Sequence, residues 1–184
     1  MSFNLKKIGN KIYEKGDLVS LYTYKFKNGK GFPKSYKEFV ENYGYGLTGE
    51  SFIVYIPMGN YGDSFHIQNP IFKEGFLDVL TWGDPEELNE DILYPDGSLE
   101  LLKRAEPFAK SVDGEYLFWD IESENEEGEF DIYITDFRGL GFTKVAENLY
   151  QFFDRITSKS DFKSIIPFNE FPLSPTFKPF SKVG

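Results

Sequence analysis

The stretch FPKSYKEFVENYG, residues 32–44, predicts a helix whose two ends are both marked in the sequence. Pro33 suits the first turn of a helix, and Gly44 is a common stop at the C-terminal end. The side chains that recur at helical spacing are aromatic or branched: Tyr36, Phe39, Val40 and Tyr43. The next apolar run, SFIVYIP at 51–57, is rich in β-branched and aromatic residues and predicts a strand. The chain therefore passes here from a helix into a strand.

Residues 44–49, GYGLTG, have the Gly-x-Gly-x-x-Gly spacing of a dinucleotide-binding loop. Such a loop must follow a strand and open a helix, so that the N-terminus of the helix faces the pyrophosphate. Here the order of the two elements is reversed, and Glu50 beside the loop would oppose a phosphate. We interpret Gly44 to Gly49 as a helix stop and a turn, and not as a nucleotide site.

The rest of the chain alternates helical and strand-like patterns. Residues 58–70 predict loop and a short strand that is interrupted at Pro70. Residues 71–83 are ambiguous between helix and strand. A capped short helix or turn is predicted at 84–92, and a short helix at 99–104 that breaks before Pro107.

Two apolar runs, EYLFWDI at 115–121 and EFDIYITDF at 129–137, predict strands joined as a hairpin by a polar turn. TKVAENLYQFFDRI, residues 143–156, predicts the strongest helix, with Thr143 as its N-cap. The tail, 166–184, holds four prolines and four phenylalanines and predicts an extended arm packed over the core by its aromatic side chains.

Length and composition indicate one folded domain. The 184 residues are 40% hydrophobic and 18% aromatic, which is ample material for a core. There is no cysteine, so disulfides and thiolate metal sites are excluded. No apolar run approaches the roughly 20 residues of a membrane span, and the N-terminus lacks the apolar region of a secretory signal. We therefore expect a cytoplasmic protein without a membrane partner.

Charge is distributed unevenly along the chain, whose net charge is −10. Residues 1–38 carry nine lysines and three acidic side chains, whereas residues 74–136 carry twenty acidic side chains and three basic ones. An acidic surface repels phosphate, which argues against nucleic acid as a partner. It would attract a basic protein, although a solvated face that keeps the chain soluble explains the same charges.

Residues that could carry chemistry do not form a recognisable catalytic or metal set. His66 is the only histidine, and with no cysteine it makes a zinc site improbable, so we interpret it as structural or surface-exposed. Calcium loops and nucleophile motifs of the Gly-x-Ser-x-Gly type are absent. With thirty acidic residues a carboxylate pair can always be found, so such a pair discriminates nothing. We expect no cofactor, no metal and no enzymatic activity.

Three segments resemble, in order and approximate spacing, the signatures of the SUKH superfamily. FPKSYKEFVENYG, followed by Tyr45 and Gly46, resembles the opening helix with its Pro-x-x-Tyr-x-x-Phe start and its glycine-bearing turn. EPFAKSVDGEYLFWDIE, residues 106–122, resembles the central signature, a Pro-Phe-Ala turn, a short loop and an apolar strand ending in Trp-Asp. FTKVAENLYQFFDRI, residues 142–156, resembles the closing helix.

The resemblance implies an α+β fold, a single domain with a central, mainly antiparallel sheet covered by helices. The domain would span residues 1–165, with its core at 32–156 and the arm at 166–184 beyond it. Bacterial members of the superfamily resemble immunity proteins that neutralise a toxin domain, often a nuclease. Fungal members are cell-wall and signalling regulators. The superfamily has no shared catalytic residues to carry over to this chain.

Our hypothesis is an immunity protein that occludes a basic toxin with an acidic surface. The alternatives are a regulatory interaction module that inhibits nothing and an enzyme with an unrecognised carboxylate site. A homodimer is also compatible with the many phenylalanines and tyrosines. The expected contact residues form two acidic groups: Asp120, Glu122, Glu124, Glu126, Glu127, Glu129 and Asp131, and then Asp84, Glu86, Glu87, Glu90 and Asp91.

Overall fold

A sheet forms the centre of the fold in the computed structural model, which describes residues 1–9, 13–84, 88 and 93–182. Eight strands are found in these residues: β1 (Lys6–Lys7), β2 (Gly46–Thr48), β3 (Phe52–Val54), β4 (Ala105–Ser111), β5 (Tyr116–Asp120), β6 (Asp131–Ile134), β7 (Thr143–Ala146) and β8 (Thr176–Pro179). They are ordered β1-β8-β2-β3-β4-β5-β6-β7 across the sheet. All neighbours are antiparallel except β1 and β8, which confirms the predicted α+β domain with a mainly antiparallel sheet.

Helices cover both faces of the sheet. The described residues contain five α-helices: α1 (Leu18–Thr23), α2 (Lys34–Asn42), α3 (Phe65–Asp78), α4 (Leu99–Arg104) and α5 (Leu149–Thr157). Successive residues of β5 point to opposite faces. Trp119 enters a large apolar cluster with α2, α5 and the start of α3, and Phe118 enters a smaller cluster with α4 and the end of α3.

The helix and strand predicted around residues 32–57 are confirmed by α2 and β3. The prediction of a turn for the glycine-rich stretch between them is wrong in part, because Gly46 to Thr48 form β2. A β-carbon on Gly46 would lie 2.4 Å from the carbonyl oxygen of Lys178 on β8. Glycine at this position therefore permits the close approach of two strands.

The prediction of loop and strand for residues 58–70 is wrong from Phe65 onward, where α3 begins. Pro70 lies inside this helix, although an internal proline removes a backbone hydrogen bond and costs about 3 kcal/mol. Phe65, Phe72 and Phe76 are buried by the helix, and their packing outweighs that cost. The ambiguous residues 71–83 continue as helix to Asp78 and then form a 3₁₀ turn.

The helix predicted over residues 143–156 is two elements. Thr143–Ala146 form β7, and the helix starts only at Leu149, so Thr143 is not its N-cap. Asn148 is the N-cap, and its extended backbone separates the strand from the helix. The apolar side chains that lie at helical spacing in this segment are nevertheless all buried in one cluster, which Val145 enters from β7 and the others from α5: Val145, Leu149, Phe152, Phe153 and Ile156.

The predictions for residues 99–137 are partly confirmed. α4 occupies the predicted residues 99–104, and β5 and β6 pair as the predicted hairpin. Pro107, Phe108 and Ala109, however, lie in β4 and do not form a turn. The register of β4 against β5 shifts between Pro107 and Ala109, and such an irregularity accommodates a proline within a sheet.

The C-terminal segment predicted as an arm contributes β8, which lies between β1 and β2. Phe177 of this strand is fully buried. Of the short helix or turn predicted at 84–92, all but Asp84 and Leu88 lies outside the described residues.

The start of α5 supplies a prediction about helix capping. The side chain of Asn148 accepts a hydrogen bond from the backbone N–H of Gln151 at 2.9 Å. Asn148→Ala should lower the free energy of unfolding by about 1 kcal/mol, because that N–H loses its acceptor. Urea unfolding followed by circular dichroism measures this loss. Asn148→Ser, which keeps an acceptor, should retain most of the stability, and an equal loss in both variants would contradict the capping role.

Candidate partner-binding surface

Among the residues that the structure describes, the loop between β5 and β6, residues 121–130, carries the densest run of exposed carboxylates. We call it the acidic loop. Its two ends are anchored by buried carboxylates, Asp120 and Glu129, which are 4% and 3% exposed. Both belong to the predicted contact set, but neither reaches the surface. They hold the loop in place through contacts within the chain.

Asp120 is fixed by an arginine from the end of α4. Its two carboxylate oxygens accept hydrogen bonds from Nε and Nη2 of Arg104, at 2.7 and 2.8 Å. This pairing raises the pKa of Arg104, chiefly through the hydrogen bond. One oxygen of Asp120 also accepts from the backbone N–H of Glu122 at 3.1 Å. The bidentate geometry fixes where the acidic loop leaves the sheet.

Glu129 joins the acidic loop to the starts of two helices. Its carboxylate accepts from the backbone N–H and from Oγ of Ser35, both at 2.7 Å, in the first turn of α2. Ser35 Oγ in turn accepts from the backbone N–H of Leu149 at the start of α5. A carboxylate at the N-terminus of a helix is favoured by the helix dipole. Burial nevertheless raises the pKa of Glu129, because the charged form loses its hydration.

Hydrogen bonds also order the interior of the acidic loop. The side-chain oxygen of Asn125 accepts from the backbone N–H groups of Glu127 and Glu129, both at 3.0 Å. Ser123 Oγ donates to the carbonyl of Asp120 and accepts from the N–H of Asp131. From outside the loop, Asn28 donates to the carbonyl of Ile121 at 2.8 Å. The acidic loop therefore projects from the sheet with its backbone held in place by hydrogen bonds.

The acidic side chains that face solvent on this projection are Glu122, Glu124, Glu126 and Glu127. Glu124 is ion-paired with Lys30, and Asp131 on β6 is paired with Lys144 at 2.7 Å. Among the described residues, Glu122, Glu126 and Glu127 form no ion pair. In the second predicted group Asp84 is exposed, whereas Glu86, Glu87, Glu90 and Asp91 lie outside the described residues.

A groove of about 620 Å³ opens beside the segment that contacts the acidic loop. Residues 24–27 line the groove, and Asn28 and Lys30 of the same segment bond to the acidic loop. Glu106, only 3% exposed, contributes to the lining. One of its oxygens pairs with Lys73 at 2.7 Å and the other accepts from Asn69 at 3.0 Å. Because both oxygens of Glu106 already have partners, this network supports the wall of the groove.

Sequence reasoning missed Glu106. The signal for it was a single acidic residue at the start of the otherwise apolar Glu106-Pro-Phe-Ala run. Its partners, Asn69 and Lys73, lie on a helix that the sequence patterns did not identify.

His66 lies at the start of α3 and is half-buried. Its Nε2 is 2.7 Å from Oγ of Ser20, and burial lowers the pKa of the imidazole. Asp17 opposes that shift through its charge, but its carboxylate caps α1 by accepting from the N–H of Ser20. No hydrogen bond from the described residues reaches Nδ1 of His66. The pair thus lacks the orienting third group of a hydrolase triad.

No group of three or more metal-ligating side chains is present in the described ranges. None of the helices described for this chain combines the length and apolar character needed to cross a bilayer.

A SUKH family model, described as SMI1-KNR4 cell-wall, matches residues 26–153. The match runs from the segment before α2 into α5 and includes the acidic loop. The chain belongs to the SUKH family. No curated protein and no solved structure matches this SUKH protein.

Proteins of the SUKH family are generally non-catalytic and act as protein-interacting immunity or regulatory modules. In this SUKH protein the exposed carboxylates of the acidic loop project from a backbone that hydrogen bonds hold in place.

Proposed function

We propose that this SUKH protein is an immunity protein that binds a cognate toxin domain, a nuclease, and neutralises it by occlusion. The observation that carries the proposal is the acidic loop, which presents Glu122, Glu126 and Glu127 to solvent without ion pairs in the described residues. The predicted segment 84–91 is proposed as a second contact region. The site of action we propose is the cytoplasm.

Electrostatics supports a nuclease as the partner. A nuclease must attract phosphate, so its active site presents lysine and arginine side chains. Closely spaced carboxylates on a protein can occupy the same basic surface in place of the substrate. Such complementary charge accelerates association at low ionic strength and disfavours partners of the wrong charge.

The bracing of the acidic loop supports tight binding. Association costs free energy when loops and side chains must be ordered in the complex. Here the backbone between Asp120 and Glu129 is already fixed by hydrogen bonds within the chain. The ordering cost then falls mainly on the glutamate side chains.

The direct test uses the toxic C-terminal domain of the effector encoded beside this gene. That domain is titrated with the SUKH protein at low and at high salt, while its activity and the affinity are followed. We expect stoichiometric inhibition with nanomolar affinity. Absence of binding at micromolar concentration, with both proteins folded, would contradict the proposal and favour a regulatory module of the cell-wall type.

Charge reversal tests the role of the acidic loop. The variant Glu122→Lys/Glu126→Lys/Glu127→Lys should associate with the toxin domain about tenfold or more slowly at low salt, because the steering charge is lost. The salt dependence of the association rate should weaken as well. Stopped-flow measurements at several ionic strengths give both quantities.

The matched control reverses three exposed acidic residues elsewhere, Glu74→Lys/Glu100→Lys/Asp154→Lys. Both variants change the net charge by the same amount, so only a local effect distinguishes them. Equal slowing in the two variants would mean that overall charge matters and that the acidic loop is only a solvated face.

A further inference from the structure

Four large apolar side chains stand exposed at the end of the sheet opposite the acidic loop. Val112 is 65% exposed, Phe137 60%, Phe168 87% and Phe171 68%. We call this set the aromatic surface. Single exposed apolar residues are common on proteins, but a contiguous group marks an interaction site.

The four side chains are neighbours although they come from three segments. Phe137 and Phe168 line one cavity of about 120 Å³, and Val112 and Phe171 line another of about 330 Å³. Asn169 lines both cavities and so joins them. The turn between β4 and β5 also touches the Phe137 segment, because a β-carbon on Gly114 would lie 2.5 Å from the Phe137 carbonyl oxygen.

The backbones that carry these side chains are held by hydrogen bonds. Ser111 Oγ accepts from the three N–H groups of residues 113–115 at 3.0–3.1 Å. Lys163 Nζ donates to the carbonyl of Asn169 at 2.6 Å, and the N–H of Leu173 donates to the carbonyl of Ile156 at 3.1 Å. The apolar side chains are therefore presented by ordered segments, which reduces the entropy lost on binding.

The aromatic surface is distinct from the acidic loop. β5 runs from the turn at 112–115 to the loop at 121–130, so the two surfaces lie at opposite ends of this strand. Its five residues span about 17 Å at the rise of an extended chain. The two surfaces are therefore separate regions of the fold.

Carboxylates surround the aromatic surface. Among the described residues, the two cavities are lined by five of them and by no lysine or arginine: Glu115, Asp136, Glu50, Asp113 and Glu170. Arg138 pairs with Asp136, and among the described residues the other four form no ion pair. Lys163 lies nearby, but its ammonium group is directed to backbone carbonyls.

This charge pattern decides between possible occupants. A two-fold dimer would place the same surface against itself and bring like charges together. A partner with lysine or arginine around its own apolar side chains would instead bury the phenylalanines and neutralise the carboxylates.

We propose that the aromatic surface is a docking site for a basic, amphipathic protein segment, separate from the acidic loop. The site goes beyond toxin neutralisation and does not depend on it. The phenylalanines are the expected anchors, because aromatic side chains dominate the binding energy of protein interfaces.

The test uses two labelled peptides as probes, an amphipathic Lys/Leu helix of about 14 residues, roughly four turns, and an oligolysine of equal length. Fluorescence anisotropy compares wild type with Phe137→Ser/Phe168→Ser/Phe171→Ser. We expect the Lys/Leu peptide to bind the variant about tenfold more weakly, and oligolysine to bind both proteins alike. Equal affinity of the Lys/Leu peptide for both proteins would overturn the proposal.

Three controls make the result specific. Val19→Ser/Ile71→Ser/Leu77→Ser removes three exposed apolar side chains elsewhere and should leave the affinity for the Lys/Leu peptide unchanged. Phe168→Ser alone, at the most exposed of the four positions, should weaken binding in the same direction if the triple variant fails to fold. A wild-type dimer in sedimentation that the triple variant abolishes would overturn the proposal, because a second copy would then occupy the surface.

Discussion

Trp119→Ala is expected to lower the free energy of unfolding by about 3–5 kcal/mol, the range for removing a large aromatic side chain from a core. Trp119 is 1% exposed and stacks on Phe108 with ring centroids 3.9 Å apart and planes 10° apart. Its other ring neighbours include Tyr36 on α2 and Phe65 on α3, at 5.0 and 6.4 Å. One side chain thus joins two strands and two helices, and the cavity left by alanine would be bordered by all four.

Urea unfolding followed by circular dichroism measures this loss. Trp82 provides the matched control, because it is 59% exposed and its replacement by alanine should change stability by about 0.5 kcal/mol or less. Equal losses in Trp119→Ala and Trp82→Ala would contradict the central position of Trp119 in the core.

Glu129→Ala is expected to cost about 2–4 kcal/mol, the second largest effect. The substitution removes the acceptor of both the N–H and the hydroxyl of Ser35, and each buried donor left unsatisfied costs about 1–3 kcal/mol. The start of α2 would also lose a side-chain acceptor that Pro33 at the N-cap does not replace. Glu127→Ala, in the same loop but exposed, should be nearly neutral in the same unfolding experiment.

The raised pKa of Glu129 predicts a pH dependence of stability. Since the folded state holds this proton more tightly than the unfolded state, wild type should lose stability as pH rises from about 4.5, the ordinary value, through the higher folded pKa. Glu129→Gln does not titrate, so the stability difference between wild type and Glu129→Gln should decrease over this window and then level off. A difference that grows with pH would show that hydrogen bonding outweighs burial at this carboxylate.

Local sequence patterns were sufficient to predict the elements whose ends carry recognisable residues. The helix at 32–44 has a proline at one end and a glycine at the other, and the two apolar runs at 115–121 and 129–137 flank a polar loop. Local patterns failed where packing opposes them. Pro70 indicated a break, yet the buried Phe65, Phe72 and Phe76 keep α3 helical around it. Val145 lies at helical spacing from Leu149, yet β7 pairs with β6 instead.

By itself the sequence determined the family, the α+β class, the segments that carry the acidic charge and the lack of a recognisable catalytic motif. Which carboxylates reach solvent was decided only by the tertiary structure. Glu129 is buried against Ser35, 94 residues away, and Asp120 against Arg104, while Glu122, Glu126 and Glu127 between them remain exposed. The aromatic surface likewise depends on three segments that are distant in sequence. Burial and pairing arise from contacts between remote residues, and neither charge nor hydrophobicity along the chain specifies them.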